Sequence, residues 1–247
     1  MMLTSDEIRR FHDEGYLIFP ALIHGPKLAH YKRVLDILVE RSRSLKASRE
    51  GFVLQPDERG GPMPGRLFKV QAVCVEERKI LDLACEPEIV DRAAALIGPQ
   101  LHMFGSKFFP MLPHGGTSTG WHQDNYYFGT NLGEVLSCGI YLERSDRSNG
   151  CLQLIPRSHR SGQLAEHMAG QGTFAHGSWT EVDKTRAIDV VCPGGTVVFF
   201  SANLLHGAST NTSDRSRYST AWHYIPADLD LEMFPFGEYE DRHWVRE

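Results

Sequence analysis

The stretch AIDVVCPGGTVVFFSANLLHGASTNTSDRSRYSTAWHYIP, residues 187–226, decides the fold. It holds three short runs rich in β-branched and aromatic residues: Ala187 to Cys192, Thr196 to Ser201 and Arg217 to Pro226. Pro193-Gly194-Gly195 separates the first two, and Asn211-Thr212 precedes the third. Residues of those types interrupt strands and turn the chain.

The same rhythm extends upstream. Further runs cover His102 to Leu112, Trp121 to Phe128, Leu136 to Glu143 and Cys151 to Pro156, with an earlier one from Leu67 to Val73. Gly115-Gly116 and Asn149-Gly150 mark turns between them. Many short strands with this spacing predict a β-sandwich or barrel. Before Gly98 the pattern is helical. Thr4 with Glu7 reads as a capping box, followed by Ile8 and Phe11 on one face and Gly15 as the stop. A second helix is expected from Pro26 to Ser44, where Leu28, Tyr31, Val34, Leu35 and Leu38 recur at three- and four-residue intervals. A third runs from Pro87, suited to a first helical position, to Gly98. These helices should pack on one sheet, making residues 1–247 a single domain, mainly β with flanking α-helices. The long polar piece Ser161 to Arg186, with Gly170, Gly172 and Gly177, and the shorter Gly115 to Gly120 are lid candidates.

Composition narrows the class. Of 247 residues, 26 are Lys or Arg and 31 are Asp or Glu, giving a net charge of −5. That balance argues against a nucleic-acid binder, whose domain is usually basic. No apolar run approaches a membrane span, and the opening MMLTSDEIRR lacks a secretory pattern. The five cysteines (Cys74, Cys85, Cys138, Cys151, Cys192) are odd in number and form no CxxC pair. Reduced, mostly buried thiols in a cytoplasmic protein are expected. Asn211-Thr212-Ser213 matches a glycosylation sequon that carries little weight without a secretory signal.

Two places among the twelve histidines stand out. His122-Gln123-Asp124 lies in an expected strand, where residues two apart share a face, so an imidazole and a carboxylate would project together. His206 lies at the end of the strand from Thr196. Two imidazoles and one carboxylate are the facial set that binds Fe(II) and leaves positions open for an organic ligand and oxygen. An H-x-D triplet also arises by chance, so the weight comes from Arg217, eleven residues after His206. The turn Asn211 to Ser216 would let Arg217 open an adjacent antiparallel strand and enter the same interior. Its planar fork suits a carboxylate, and Ser219, on the same face, offers a hydroxyl. Lys69 and Lys107 are charges inside apolar runs; an edge-strand lysine that blunts aggregation is the other reading of Lys69.

At these residues the chain resembles the phytanoyl-CoA 2-hydroxylase family of iron(II)- and 2-oxoglutarate-dependent dioxygenases. The matching stretches are Phe68-Lys69-Val70-Gln71, Trp121-His122-Gln123-Asp124, Ser148 to Leu152, Ile155-Pro156-Arg157-Ser158-His159, Gly194 to Phe200, and His206 with Arg217. The resemblance spans nearly the whole chain. It implies a double-stranded β-helix, or cupin-like jelly roll, with the metal inside one mouth. His122, Asp124 and His206 match the iron triad. Arg217, helped by Ser219, matches the grip on the far carboxylate of 2-oxoglutarate. Lys69 matches a lysine of the cosubstrate pocket, and Lys107 is a candidate second contact. Fe(II), 2-oxoglutarate and O2 are the implied cofactors, with release of succinate and CO2 as a C–H bond of a small molecule is oxidised, most simply by hydroxylation. The intact Asp124 sets the chain apart from related halogenases, which lack that carboxylate. Arg157 departs from the family, replacing a turn glycine with a cation near the rim. Asn125, Tyr127 and Trp222 are candidate substrate contacts, with the Asn125 to Phe128 side chains alternating in and out. The alternatives are a cupin-like metal-dependent isomerase or hydrolase, with no need for Arg217, and a non-catalytic metal-binding module. No nucleic-acid or membrane partner is expected, and the oligomeric state is left open.

Overall fold

A computed structural model of the chain describes residues 3–116, 118–170, 177–229, 231 and 241–246. The helices are α1 (Ser5–Glu14), α2 (Gly25–Ser42), α3 (Val73–Glu76), α4 (Arg78–Ala84), α5 (Pro87–Ile97) and α6 (Asp124–Tyr127). The strands are β1 (Tyr16–Phe19), β2 (Phe52–Pro56), β3 (Pro62–Gln71), β4 (Leu101–Phe109), β5 (Thr119–His122), β6 (Leu136–Tyr141) and β7 (Leu152–Leu154). They continue as β8 (Met168–Ala169), β9 (Ser178–Trp179), β10 (Ile188–Asp189), β11 (Thr196–Ser201), β12 (His206–Ala208), β13 (Ser219–Pro226) and β14 (Arg242–Arg246).

Two antiparallel sheets form a jelly roll. The large one runs β1-β11-β6-β13-β4-β3-β2, with β14 also on β4; the small one runs β10-β7-β12-β5. The large sheet is buried on both faces, and strand alternation sorts its side chains. In β11, Val197 and Phe199 join the core under the helices, while Val198 and Phe200 join the cluster between the sheets. In β13, Trp222 and Tyr224 belong to the helix-side core, and the Tyr224 hydroxyl donates to the Ala84 carbonyl of α4. Ser219, Ala221 and His223, in the other phase of the strand, line the interior.

The helices form as expected. Thr4 and Glu7 cap α1 reciprocally, each backbone N–H donating to the other's side chain, a device worth about 1 kcal/mol. Gly15 closes α1 at φ +85°. The turn before β11 needs glycine for two reasons. Gly195 sits at φ +81°, and a Cβ there would lie 1.7 Å from the Ile23 carbonyl oxygen. The helices α3 and α4 and the strands β1 and β2 are not among the expected elements; all four are four to seven residues long, too short for a period to show.

Three expectations are corrected. The run from Trp121 to Phe128 is not one strand: β5 ends at His122, and Asp124 opens a helical turn. Asn125 holds that turn, its amide donating to the Leu132 carbonyl and to Asn203 Oδ1. His206 does not end the strand from Thr196. It opens β12 in the opposite sheet, after the chain crosses between sheets. Arg217 is likewise not beside the strand of His206, because β13 lies in the large sheet between β6 and β4. Among the described residues no helix is long and apolar enough to cross a membrane. The sequon residue Asn211 is fully buried, its amide donating to the carbonyls of Met111 and Arg215.

Candidate metal centre

The crossover between sheets sets the first pair of donors. His206 and His122 are directly registered partners of β12 and β5, with ring centroids 4.1 Å apart. The α6 turn then brings the Asp124 carboxylate round to both. Its Oδ1 is 3.6 Å from His122 Nε2 and its Oδ2 is 3.7 Å from His206 Nε2. One ligand atom from each of the three residues lies within 4.8 Å of the others. Proximity thus arises from a strand end plus a turn, not from alternation along one strand.

Each imidazole is oriented by its own chain. His122 Nδ1 bonds the Gly120 carbonyl at 2.8 Å and His206 Nδ1 bonds the Leu204 carbonyl at 3.0 Å. A carbonyl only accepts, so the proton sits on Nδ1 and the Nε2 lone pair faces the centre. Burial, and next the neighbouring His122 ring, lower the His206 pKa to about 4, keeping it neutral and able to ligate. The Ile155–His159 stretch holds the entry to β12. Leu205 N–H donates to Ser158 Oγ, and Ile155 N–H donates to the Leu205 carbonyl.

Asp124 is anchored by residues the sequence reading did not assign. Ser137 of β6 donates to Asp124 Oδ2 at 2.6 Å, leaving its oxygen to accept from His223 Nδ1 at 3.1 Å. His223 Nε2 then accepts from Lys107 Nζ at 3.5 Å. Burial opposes the charge on Asp124, but the imidazoles of His206, His223 and His122 hold its carboxyl well below the usual range. The signal for His223 was present: it continues the alternation Arg217, Ser219, Ala221 on one face of β13.

Arg217 is 3% exposed. Its guanidinium lies at the start of β13, NH1 donating to Ser219 Oγ at 3.0 Å and Nε to the Asn149 carbonyl at 3.3 Å. The Tyr141 ring lies 5.3 Å from its central carbon. It forms no ion pair among the described residues. A buried cation without a carboxylate is costly unless a ligand supplies the charge.

One cavity of about 350 Å3 unites these groups. His122, Asp124, His206, Arg217, Ser219, Lys69, Lys107 and Tyr127 all border it. Trp222 touches it as well but is part of the helix-side core. Asn125 does not border it; it is a buried strut of the α6 turn. In a helical turn, Asn125 to Phe128 cannot alternate as a strand. Tyr127 and Phe128 face the cavity, whereas Tyr126 is 39% exposed and stacks on His167. Both lid candidates border the cavity in part: Ser118 to Gly120, and Gly177 to Trp179. Thr180 N–H donates to the Trp121 carbonyl, and Ser178 N–H donates to the Tyr127 hydroxyl at 2.9 Å, tying the β8–β9 hairpin to the metal-binding segment. Residues 171–176 of the longer candidate, and Thr117 of the shorter, lie outside the described residues. Arg157 stands at φ +68°, the backbone region that favours glycine, and its Nε donates to Glu14 of α1 at 3.0 Å.

Two imidazoles and a carboxylate converging at one point suit a divalent iron, with room left in the cavity for further ligands. Fold and site together define an Fe(II)- and 2-oxoglutarate-dependent dioxygenase. The chain belongs to the phytanoyl-CoA dioxygenase (PhyH) family, whose model matches residues 11–219. A probable alpha-ketoglutarate-dependent hypophosphite dioxygenase of Stutzerimonas stutzeri is 25% identical over 96% of this chain and 85% of its own length. The peroxisomal phytanoyl-CoA dioxygenase of Homo sapiens is 22% identical over 92% of this chain and 70% of its own. Among solved structures, EctD from S. alaskensis with 2-oxoglutarate and 5-hydroxyectoine superposes with a TM-score of 0.74, at 18% identity, over 99% of this chain and 84% of that one.

Proposed function

We propose that residues 1–247 form one catalytic domain in which His122, Asp124 and His206 hold iron(II) and Arg217 with Ser219 binds the far carboxylate of 2-oxoglutarate. The observation that carries this reading is the pairing, in one cavity, of a converged His-Asp-His set with a buried arginine that has no ion pair among the described residues. Iron held there, with 2-oxoglutarate and O2, supplies oxidation of a C–H bond coupled to loss of CO2 and formation of succinate.

The protein's own part is placement and exclusion of water. The Gly120 and Leu204 carbonyls fix the imidazole tautomers, and Ser137 fixes one oxygen of Asp124. Arg217 and Ser219 define one end of the cosubstrate site. Lys107, registered opposite Ala221 of β13, adds positive charge to the same cavity. Tyr127, edge-on to His122 at 5.8 Å, and Trp179 wall the substrate side. Hydroxylation of a small metabolite is the simplest outcome for a chamber of this size. A cupin-like isomerase or hydrolase would leave the Arg217 charge unexplained, and a non-catalytic module has no use for an open cavity at the triad. Five cysteines without a disulfide, four of them buried, and the buried sequon support a cytoplasmic setting.

The test is anaerobic addition of Fe(II) and then 2-oxoglutarate, followed by visible absorption. A charge-transfer band in wild type, absent in His206→Ala and weakened in Arg217→Ala, is expected, with succinate release once a substrate is supplied. Bound iron with no band on adding the keto acid would refute the reading.

A further inference from the structure

Four half-buried aromatic rings border the cavity beside the metal and cosubstrate groups. Phe68 of β3 and Phe109 of β4 belong to the large sheet and meet edge to face, with ring centroids 5.9 Å apart. Tyr127 and Trp179 belong to the small-sheet side, where β9 lies against β5. A ring that is half-buried on a cavity wall leaves apolar area for a ligand, whereas a fully buried one packs a core. Asp124, a metal ligand in the reading above, is the single carboxylate among the lining residues, so a cationic substrate would find no partner there.

Trp179 comes from outside the two sheets, on the β8–β9 hairpin, and the bonds around it fix where it stands. The residue before it, Ser178, donates its N–H to the Tyr127 hydroxyl at 2.9 Å, and the residue after it, Thr180, donates to the Trp121 carbonyl at 2.7 Å. Gly120 leaves the space the indole needs: a Cβ at that position would lie 2.7 Å from the Trp179 Cβ. The other strand of the hairpin is tied to the same segment. Met168 is the registered partner of Trp179. Beside Met168, His167 Nε2 accepts the Gln123 N–H at 3.1 Å, and its Nδ1 bonds the Ala165 carbonyl at 2.8 Å, which places the proton on Nδ1. Gln123 Oε1 accepts the Ala165 N–H at 2.8 Å. Neither Gln123 nor His167 borders the cavity. Their bonds therefore serve the position of the hairpin, and through it the position of Trp179.

We propose that Trp179 is a specificity-determining residue which, with Tyr127, Phe68 and Phe109, selects a neutral substrate carrying an aromatic ring, and that His167 is a positioning residue acting through Trp179. The chemistry done on that substrate rests on the dioxygenase reading. Ring against ring adds about two- to tenfold in affinity beyond the area buried. A saturated ring of the same skeleton gains the area without that contact.

The test uses the full chain, loaded anaerobically with Fe(II) and saturating 2-oxoglutarate, with the visible band checking that each variant is loaded. Ligand-observed NMR titration compares benzyl alcohol with cyclohexylmethanol, which share a skeleton and differ in ring saturation. Transfer out of water favours the more apolar cyclohexylmethanol, so a preference for benzyl alcohol reports the aromatic wall. Wild type is expected to bind benzyl alcohol about fivefold or more tightly than cyclohexylmethanol. Trp179→Ala should bring that ratio to about one or below, and Trp179→Phe, which keeps a ring, should hold it above about threefold. His167→Ala, outside the cavity, should lower the ratio about twofold or more, a change that lost stability alone does not produce. A wild-type ratio of about one or less, or no binding of either alcohol, would overturn the proposal. So would a Trp179→Ala variant that keeps the wild-type ratio. An unchanged ratio in His167→Ala would remove its positioning role. Absence of the visible band in wild type is a different failure, that of the dioxygenase reading itself; the ring preference is then decided on the metal-free protein, since the chain alone forms the aromatic walls.

Discussion

Replacing Arg217 with methionine should separate ligand binding from folding. In the structure the guanidinium is buried, donates to Ser219 Oγ and the Asn149 carbonyl, and has no ion pair among the described residues. On the ligand side, two charge-assisted bonds to a carboxylate are at stake, each worth roughly 1.5–3 kcal/mol. A pair of unit charges at 4 Å contributes about 4 kcal/mol at an effective dielectric near 20. Taking about 2–4 kcal/mol as the net loss, the affinity for 2-oxoglutarate should fall about 30- to 1,000-fold. On the folding side the terms oppose each other. The variant strands the Asn149 carbonyl, at about 1–3 kcal/mol. It also removes a buried charge whose desolvation costs several kcal/mol. The sum should stay within about 2 kcal/mol, a Tm change under roughly 8 °C for a chain of this length. The assay is the Kd for 2-oxoglutarate from the anaerobic visible band, beside thermal unfolding of the ligand-free protein. A Kd within threefold of wild type would refute the assignment. So would a collapse of the fold, which would make Arg217 a structural cation.

Further outcomes follow from neighbouring contacts. Ser137→Ala removes the hydroxyl that links Asp124 Oδ2 to His223; iron affinity, measured against a competing chelator, should fall about tenfold, and an unchanged affinity would show that Asp124 needs no support. Arg157 is strained at φ +68° yet tied to Glu14. Arg157→Gly and Arg157→Ala both lose the exposed pair and only glycine relieves the backbone, so the glycine variant should be more stable than the alanine variant by about 1 kcal/mol; equal Tm values would remove the strain argument. Burial, and next the Lys107 charge on β4, lower the Lys69 pKa to about 8. Binding of the dianionic cosubstrate favours the protonated form, so 2-oxoglutarate affinity, read from the visible band, should be level below pH 7 and decline above pH 8. Lys107, itself lowered by burial, is the other ammonium on the cavity, and the decline should be smaller in Lys69→Arg. A flat profile from pH 7 to 9 would detach Lys69 from the cosubstrate.

Local order in the sequence determined a good deal. The capping box of α1, the apolar spacing of α2 and the turn residues flanking β11 each depend on neighbours a few positions apart, so their elements could be read directly. His122, Asp124, His206, Arg217 and Ser219 were legible for the same reason: chemistry-bearing residues at short, fixed spacings. What only the tertiary structure decided is how those residues meet. The spacing between His206 and Arg217 says nothing about which sheet each occupies, and the crossing of the chain between sheets puts them on opposite walls of one cavity. Asp124 reaches the histidines because Asn125 bonds residues far along the chain and holds a turn where propensity favoured a strand. Ser137 was silent in the sequence, since a serine inside an apolar strand looks the same whether it faces a core or a site. Its role comes from the register of β6 against β13, which sets it opposite His223 and which no local pattern encodes.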